Sequence, residues 1–118
     1  MKNGSIAAKL GYALAGVRIV WRREMGFRWH CAMAALAIAG TAMLRVELIW
    51  WAIVGLCLTI VFVAEMVNSA LEYLIDRVHP EIHDEIKHAK DAAAGAVLLA
   101  NIGCGLAGAL MVAHWWLG

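Results

Sequence analysis

An all-α integral membrane chain, with three transmembrane helices preceded by an amphipathic surface helix, is the fold that this 118-residue sequence predicts. Three observations carry that expectation. The first is composition: 64% of the residues are hydrophobic and 16% charged, where a soluble domain averages nearer ~50% and ~25%. The second is that the apolar residues gather in long runs without Lys, Arg, Asp or Glu, at 31–44, 48–64 and 92–118. The third is that the basic residues lie almost entirely on one side of those runs. A soluble bundle this small would lack the polar material to cover its surface. A cleaved signal peptide fits no better, because the amino-terminal stretch is polar and the strongest apolar runs lie far from it.

The surface helix is expected at about 5–23. Ile6, Leu10, Leu14, Val17 and Trp21 recur at spacings of three and four, which puts them on one side. Lys9, Arg18, Arg22 and Arg23 can meet anionic headgroups with their stems along the apolar surface. Spans follow at about 29–46, 48–72 and 91–116. A spanning helix needs about 20 residues, at about 1.5 Å each through ~30 Å of hydrocarbon. The third run clears that length, and the first two reach it with their polar flanks in the interface. The short connection through Arg45 and Glu47 predicts a tight hairpin between the first two spans. The second helix should continue to about Val78, where Pro80 favours a break. The polar segment from Glu81 to Lys90 has room for an extra helical turn or two before the third span. No linker or second domain is evident, so 1–118 reads as one domain.

Of the 10 basic residues, only Arg45 falls between the first and second spans. Lys2, Lys9, Arg18, Arg22, Arg23 and Arg28 precede the first span, and Arg77, Lys87 and Lys90 follow the second. The amino terminus and the long loop should therefore face the cytoplasm, with the carboxyl terminus outside. Trp50, Trp51, Trp115 and Trp116 suit an aromatic belt at that outer face. The third span is rich in small residues, among them Gly95, Gly103, Gly105 and Gly108. Close backbone contact is a principal attraction between helices in lipid, so self-association is expected. Cys31, Cys57 and Cys104 form no ligand pattern and read as packing residues. His79, His83 and His88 read as a solvated loop, since Pro80 disrupts a shared face and no firm third ligand follows.

The chemistry-bearing run is Glu65 to Asp76. At about 100° per residue, Asn68, Glu72 and Asp76 fall within about 60° of Glu65, so the four make one polar stripe. It begins inside the membrane and runs to the cytoplasmic mouth. Carboxylates this close repel, and desolvation raises the cost, so something positive should share the stripe. Magnesium bridging bound phosphates fits; neighbouring basic residues are the alternative, with Asp76 paired to Arg77 or to a first-helix arginine. Arg22, Arg23, Glu24 and Arg28 before the first span, and Lys90 and Asp91 before the third, lie at the same membrane depth. Together these groups meet the needs of phosphoryl transfer: charge neutralisation, metal bridging and a base.

Glu65-Met66-Val67-Asn68-Ser69-Ala70-Leu71-Glu72, then Asp76 and Lys90-Asp91-Ala92-Ala93-Ala94-Gly95-Ala96-Val97, resembles the bacterial integral membrane diacylglycerol kinase family. Arg23-Glu24 with Phe27-Arg28 is similar to that family's junction before the first span. The resemblance implies a homotrimer with active sites between chains, in the bacterial inner membrane. It implies ATP as donor, Mg2+ as cofactor and a lipid hydroxyl as acceptor, with diacylglycerol giving phosphatidic acid. By motif match, Glu65 is the general base, and Glu24 and Glu72 hold magnesium. Asn68 organises the site, Lys90 binds phosphate, and Asp76 and Asp91 lie near the nucleotide. Tyr12 matches a nucleotide-side aromatic, and Arg28, Glu65, Asn68 and Ser69 match lipid-substrate positions. Ser5 and Ala8 stand near places where the best-known diacylglycerol kinases carry basic residues. The run from Lys90 to Val97 is also similar to the undecaprenol kinase branch, which keeps that lipid as the alternative.

Two non-enzyme readings compete. A small channel or proton-coupled transporter explains Glu65 but leaves Lys90, Asp91 and the basic junction unused. A structural anchor, holding haem through His30 or His114, explains less.

Overall fold

The computed structural model describes residues 4–118; Lys2, counted above among the basic residues, lies outside them. Four helices follow in order: α1 (Ile6–Arg23), α2 (Met25–Leu44), α3 (Leu48–Val78) and α4 (Asp84–Leu117). Ser5 starts α1 by accepting a 3.2 Å hydrogen bond from the Ala8 amide, which satisfies one of the helix's free donors. Arg22 and Arg23 occupy its last turn, where they complement the helix dipole. Glu24 then breaks the chain with an extended backbone, φ −111° and ψ 106°, and α2 begins at once.

The first spanning helix therefore starts about one turn earlier than the charge pattern suggests and stops at Leu44, not at 46. Arg28 does not delay it, because an arginine near a helix end can reach the interface along its own stem. The hairpin closes through Arg45 in the left-handed region, φ 53° and ψ 47°, the single non-glycine positive φ among the described residues. The α3 helix runs 31 residues without a break and ends at His79, before Pro80. The α4 helix is 34 residues long and takes in the polar segment from Asp84 onward. The part before 91 makes about two turns, as the polar segment allowed, and Asp84 and Glu85 in its first turn favour it through the dipole.

α2, α3 and α4 are each long and apolar enough to cross a membrane. α4 packs along α3 over most of its length, while α2 touches α3 more sparsely and α1 meets both more sparsely still. Phe27 and Phe62 lock α2 to α3 edge to face, with centroids 5.3 Å apart. The Cys104 thiol donates to the Cys57 carbonyl at 2.9 Å, which draws α4 against α3. Thr41 and Thr59 return their hydroxyls to their own helices, on the carbonyls of Ala37 and Gly55, so neither needs water in the lipid.

The buried hydrophobic residues among those described are Val20, Phe27, Ala34, Val61 and Met111. Leu36, Leu56, Leu99 and Leu106 are each more than half exposed, as lipid-facing side chains are. At the far end from Glu24, Arg45, Glu47, Trp50, His114 and Trp115 surround one hollow. Glu47 lies 3.6 Å from His114 there. Trp50, Trp115 and Trp116 thus gather at this end of the bundle.

Candidate active site

Glu24 sits where α1 gives way to α2, and that break turns its carboxylate toward α3. The Tyr73 hydroxyl donates to Glu24 Oε1 at 2.9 Å. The Arg23 guanidinium stands 5.2 Å above the Tyr73 ring, an attraction between cation and ring face. Arg23, Glu24 and Tyr73 thereby pin the junction to the carboxyl-terminal half of α3. Because α3 is continuous, Glu65, Asn68 and Ser69 project from the same side one and two turns deeper.

These side chains enclose a cavity of about 180 Å³. Glu24, Gly26 and Phe27 form one wall, Glu65, Asn68 and Ser69 a second, and Ala94 and Val97 of α4 the third. Ser69 is buried, and Glu65, Asn68 and Glu24 are partly so. Glu65 Oε1 lies 2.7 Å from His30 Nδ1. Its other oxygen, Oε2, is buried without a hydrogen-bond partner among the described residues, as are Asn68 Oδ1 and Arg28 Nε. Buried polar atoms are almost always paired, so unpaired ones at a cavity mark a place where a ligand group belongs.

The other expected site residues stand off this cavity within a single chain. Lys90 pairs with Asp76 at 2.5 Å, so the partner of Asp76 is neither Arg77 nor a first-helix arginine. That pairing joins the end of α3 to the start of α4, which the long α4 brings alongside. Asp91 pairs with Lys87 at 2.6 Å. Both pairs are well exposed, so water and salt screen them and they add little to stability. Glu72 is half-buried and has no hydrogen-bond or ion-pair partner among the described residues. Tyr12 is 50% exposed on α1. Arg28 is half-buried beside the junction and is not among the cavity walls.

His30 and Tyr73 were not legible as site residues. Tyr73 lies about 80° around α3 from Glu65, at the edge of the acidic stripe, so its position was a signal that composition obscured. His30 carries no such signal, because its role depends on how α2 is rotated against α3. Its packing with Glu65 leaves the haem reading without support. His79 and His83 stack edge to face at 6.2 Å. Among the described residues no three His, Cys, Asp or Glu side chains gather closely enough to hold a metal by themselves.

The fold and this cavity define a small polytopic membrane protein with an acidic, partly buried site near one end of its bundle. The family model for prokaryotic diacylglycerol kinase matches residues 11–112, and the chain belongs to that family. It is 36% identical over 102 residues to the diacylglycerol kinase of Synechocystis sp., covering 86% of this chain and 58% of that protein. It is 34% identical over 92 residues to the diacylglycerol kinase of Escherichia coli K12, covering 78% and 75%. With the undecaprenol kinase of Bacillus subtilis 168 it shares 35% over 91 residues, covering 74% of each.

Proposed function

We propose that this chain transfers the terminal phosphate of ATP to the primary hydroxyl of diacylglycerol, giving phosphatidic acid at the cytoplasmic face of a bacterial inner membrane. The observation that carries the reading is the pair of buried, unpaired acceptor oxygens, Glu65 Oε2 and Asn68 Oδ1, at the small cavity between α2, α3 and α4. A hydroxyl brings the one donor hydrogen that such a pair lacks.

The hydroxyl oxygen attacks the terminal phosphorus in line. A phosphorus–oxygen bond forms to the lipid, the bond to the ADP oxygen breaks, and the hydroxyl proton passes to Glu65 Oε2. Asn68 and Ser69 orient the acceptor. Glu24 and Glu72 would hold magnesium: both are hard oxygen donors, Glu72 directly precedes Tyr73 on α3, and Glu24 engages only one oxygen with Tyr73. Magnesium needs only one or two carboxylates when phosphate oxygens complete its shell. When bound, it supplies charge neutralisation and alignment of the phosphates. Lys90 exchanges its exposed Asp76 partner for phosphate, Tyr12, Asp76 and Asp91 border the nucleotide, and Arg28 stands on the lipid-substrate side.

Three features support a homotrimer with sites shared between chains. Lys90 and Glu72 stand off the cavity of their own chain. A Cβ at Gly95, Gly103, Gly105 or Gly108 would meet nothing within 4 Å, so close helix contact through them is left to another chain. The buried apolar core of one chain is also small. The exposed Ile6, Leu10 and Leu14 of α1 suit a helix lying in the membrane surface.

The B. subtilis relative favours undecaprenol as the second reading. Purified protein with magnesium ATP and each lipid in turn tests both. Phosphatidic acid as the main product supports the proposal. Undecaprenyl phosphate alone, or no phosphorylated lipid, overturns it.

A further inference from the structure

His30 lies outside the acidic stripe, yet its Nδ1 is 2.7 Å from Glu65 Oε1. The same nitrogen is 2.9 Å from the Gly26 carbonyl oxygen. A carbonyl oxygen only accepts, so a nitrogen held this close to one bears a hydrogen. The Nδ1 hydrogen is directed at Gly26, and Glu65 Oε1 lies against the same nitrogen at ion-pair distance, where only an acceptor is tolerated. The first contact fixes the ring against its own helix, one turn back. The ring is thus oriented by α2 alone, and the carboxylate of α3 docks onto a donor already in place. Glu65 Oε2 remains buried and unpaired beside Asn68 Oδ1.

We propose that His30 is a positioning residue for Glu65: its Nδ1–H holds Oε1 and so presents Oε2 to the acceptor hydroxyl. The inference rests on the reading of Glu65 as the base. A carboxylate held at one oxygen cannot swing its basic lone pairs away from the hydroxyl, and alignment of this kind weighs heavily in reactions between bound groups. The hydroxyl proton goes to Oε2, while His30 keeps its Nδ1 hydrogen throughout. His30 acts through Glu65 and does not touch the reacting atoms. It also borders the apolar groove of about 520 Å³ between α2, α3 and α4, where an aliphatic side chain of similar size would pack equally well.

Asparagine places its amide nitrogen close to the position of Nδ1, whereas leucine and methionine keep volume but donate nothing. With purified protein, magnesium ATP and the better lipid acceptor, H30N is expected to keep kcat within about threefold, while H30L and H30M lose about 10²-fold, as small misplacements do. KM for ATP stays within about twofold in all three, since positioning of a base does not bind nucleotide. In an E65Q background, H30L adds less than about twofold, because residues that act as a unit are not additive. H30L and H30M with near wild-type kcat overturn the proposal. So does equal loss in H30N and H30L, or a full extra loss from H30L on top of E65Q. Failure of the base reading looks different: E65Q itself then turns over normally, whatever His30 does.

Discussion

Glu65 has one oxygen tied to His30 and one free, and this asymmetry sets what a single substitution should do. Replacing it by glutamine keeps the shape and a carbonyl acceptor for His30 but removes the basic lone pair. E65Q should lower kcat by about 10²- to 10⁴-fold while the protein purifies and unfolds as the wild type does; lipid phosphorylation at normal rate would remove Glu65 from the chemistry. The magnesium roles proposed for Glu24 and Glu72 bear on a different quantity. E24Q and E72Q should each raise the magnesium concentration needed for half-maximal turnover by about tenfold, and chelation of magnesium should stop turnover in the wild type. A magnesium titration unchanged in both variants would count against their ligand roles. That Glu65 and Asn68 share one face was readable in advance from the helical period, whereas Ser69 came only from the motif resemblance. Glu24 was readable by motif. His30 and Tyr73 were not, since a contact between helices depends on rotation and depth that no single run of residues encodes.

Among the elements, α2, α3 and α4 could be read from the charge-free runs, because lipid penalises every unpaired backbone group and so leaves only continuous helices. Their ends were harder. Polar residues are tolerated in a helix once it leaves the hydrocarbon, so the beginnings of α2 and α4 extend beyond the apolar pattern. The α2–α3 turn had no glycine to mark it, and Arg45 adopts a left-handed conformation that disfavours a Cβ by about 1 kcal/mol or more. R45G should therefore raise the unfolding temperature in detergent, by the few degrees that about 1 kcal/mol represents. A lower unfolding temperature would mean that the arginine side chain contributes more than its backbone costs.

At the scale of the whole molecule, helix pairing within one chain uses little of the small-residue surface of α4. Gly103 faces open space, with nothing within 4 Å of where a Cβ would stand. G103L should leave the fold of the single chain intact and weaken self-association by about tenfold, the equivalent of one lost helix contact. Cross-linking or light scattering in detergent would read this as a shift to smaller species, and an unchanged mass would place the subunit contact elsewhere.

The 31 residues of α3 make a rod of about 46 Å, and the 34 of α4 one of about 51 Å. Both outreach an oily layer of about 30 Å. Under the proposed function, the surplus would carry Glu72, Asp76 and Lys90 clear of the acyl chains, where a water-soluble donor can meet them. That clearance belongs to the bilayer as much as to the protein. Phospholipids with longer tails should submerge it and slow the reaction, and shorter tails should restore it. A rate indifferent to tail length would show that the bundle carries its own wetted vestibule wherever it floats.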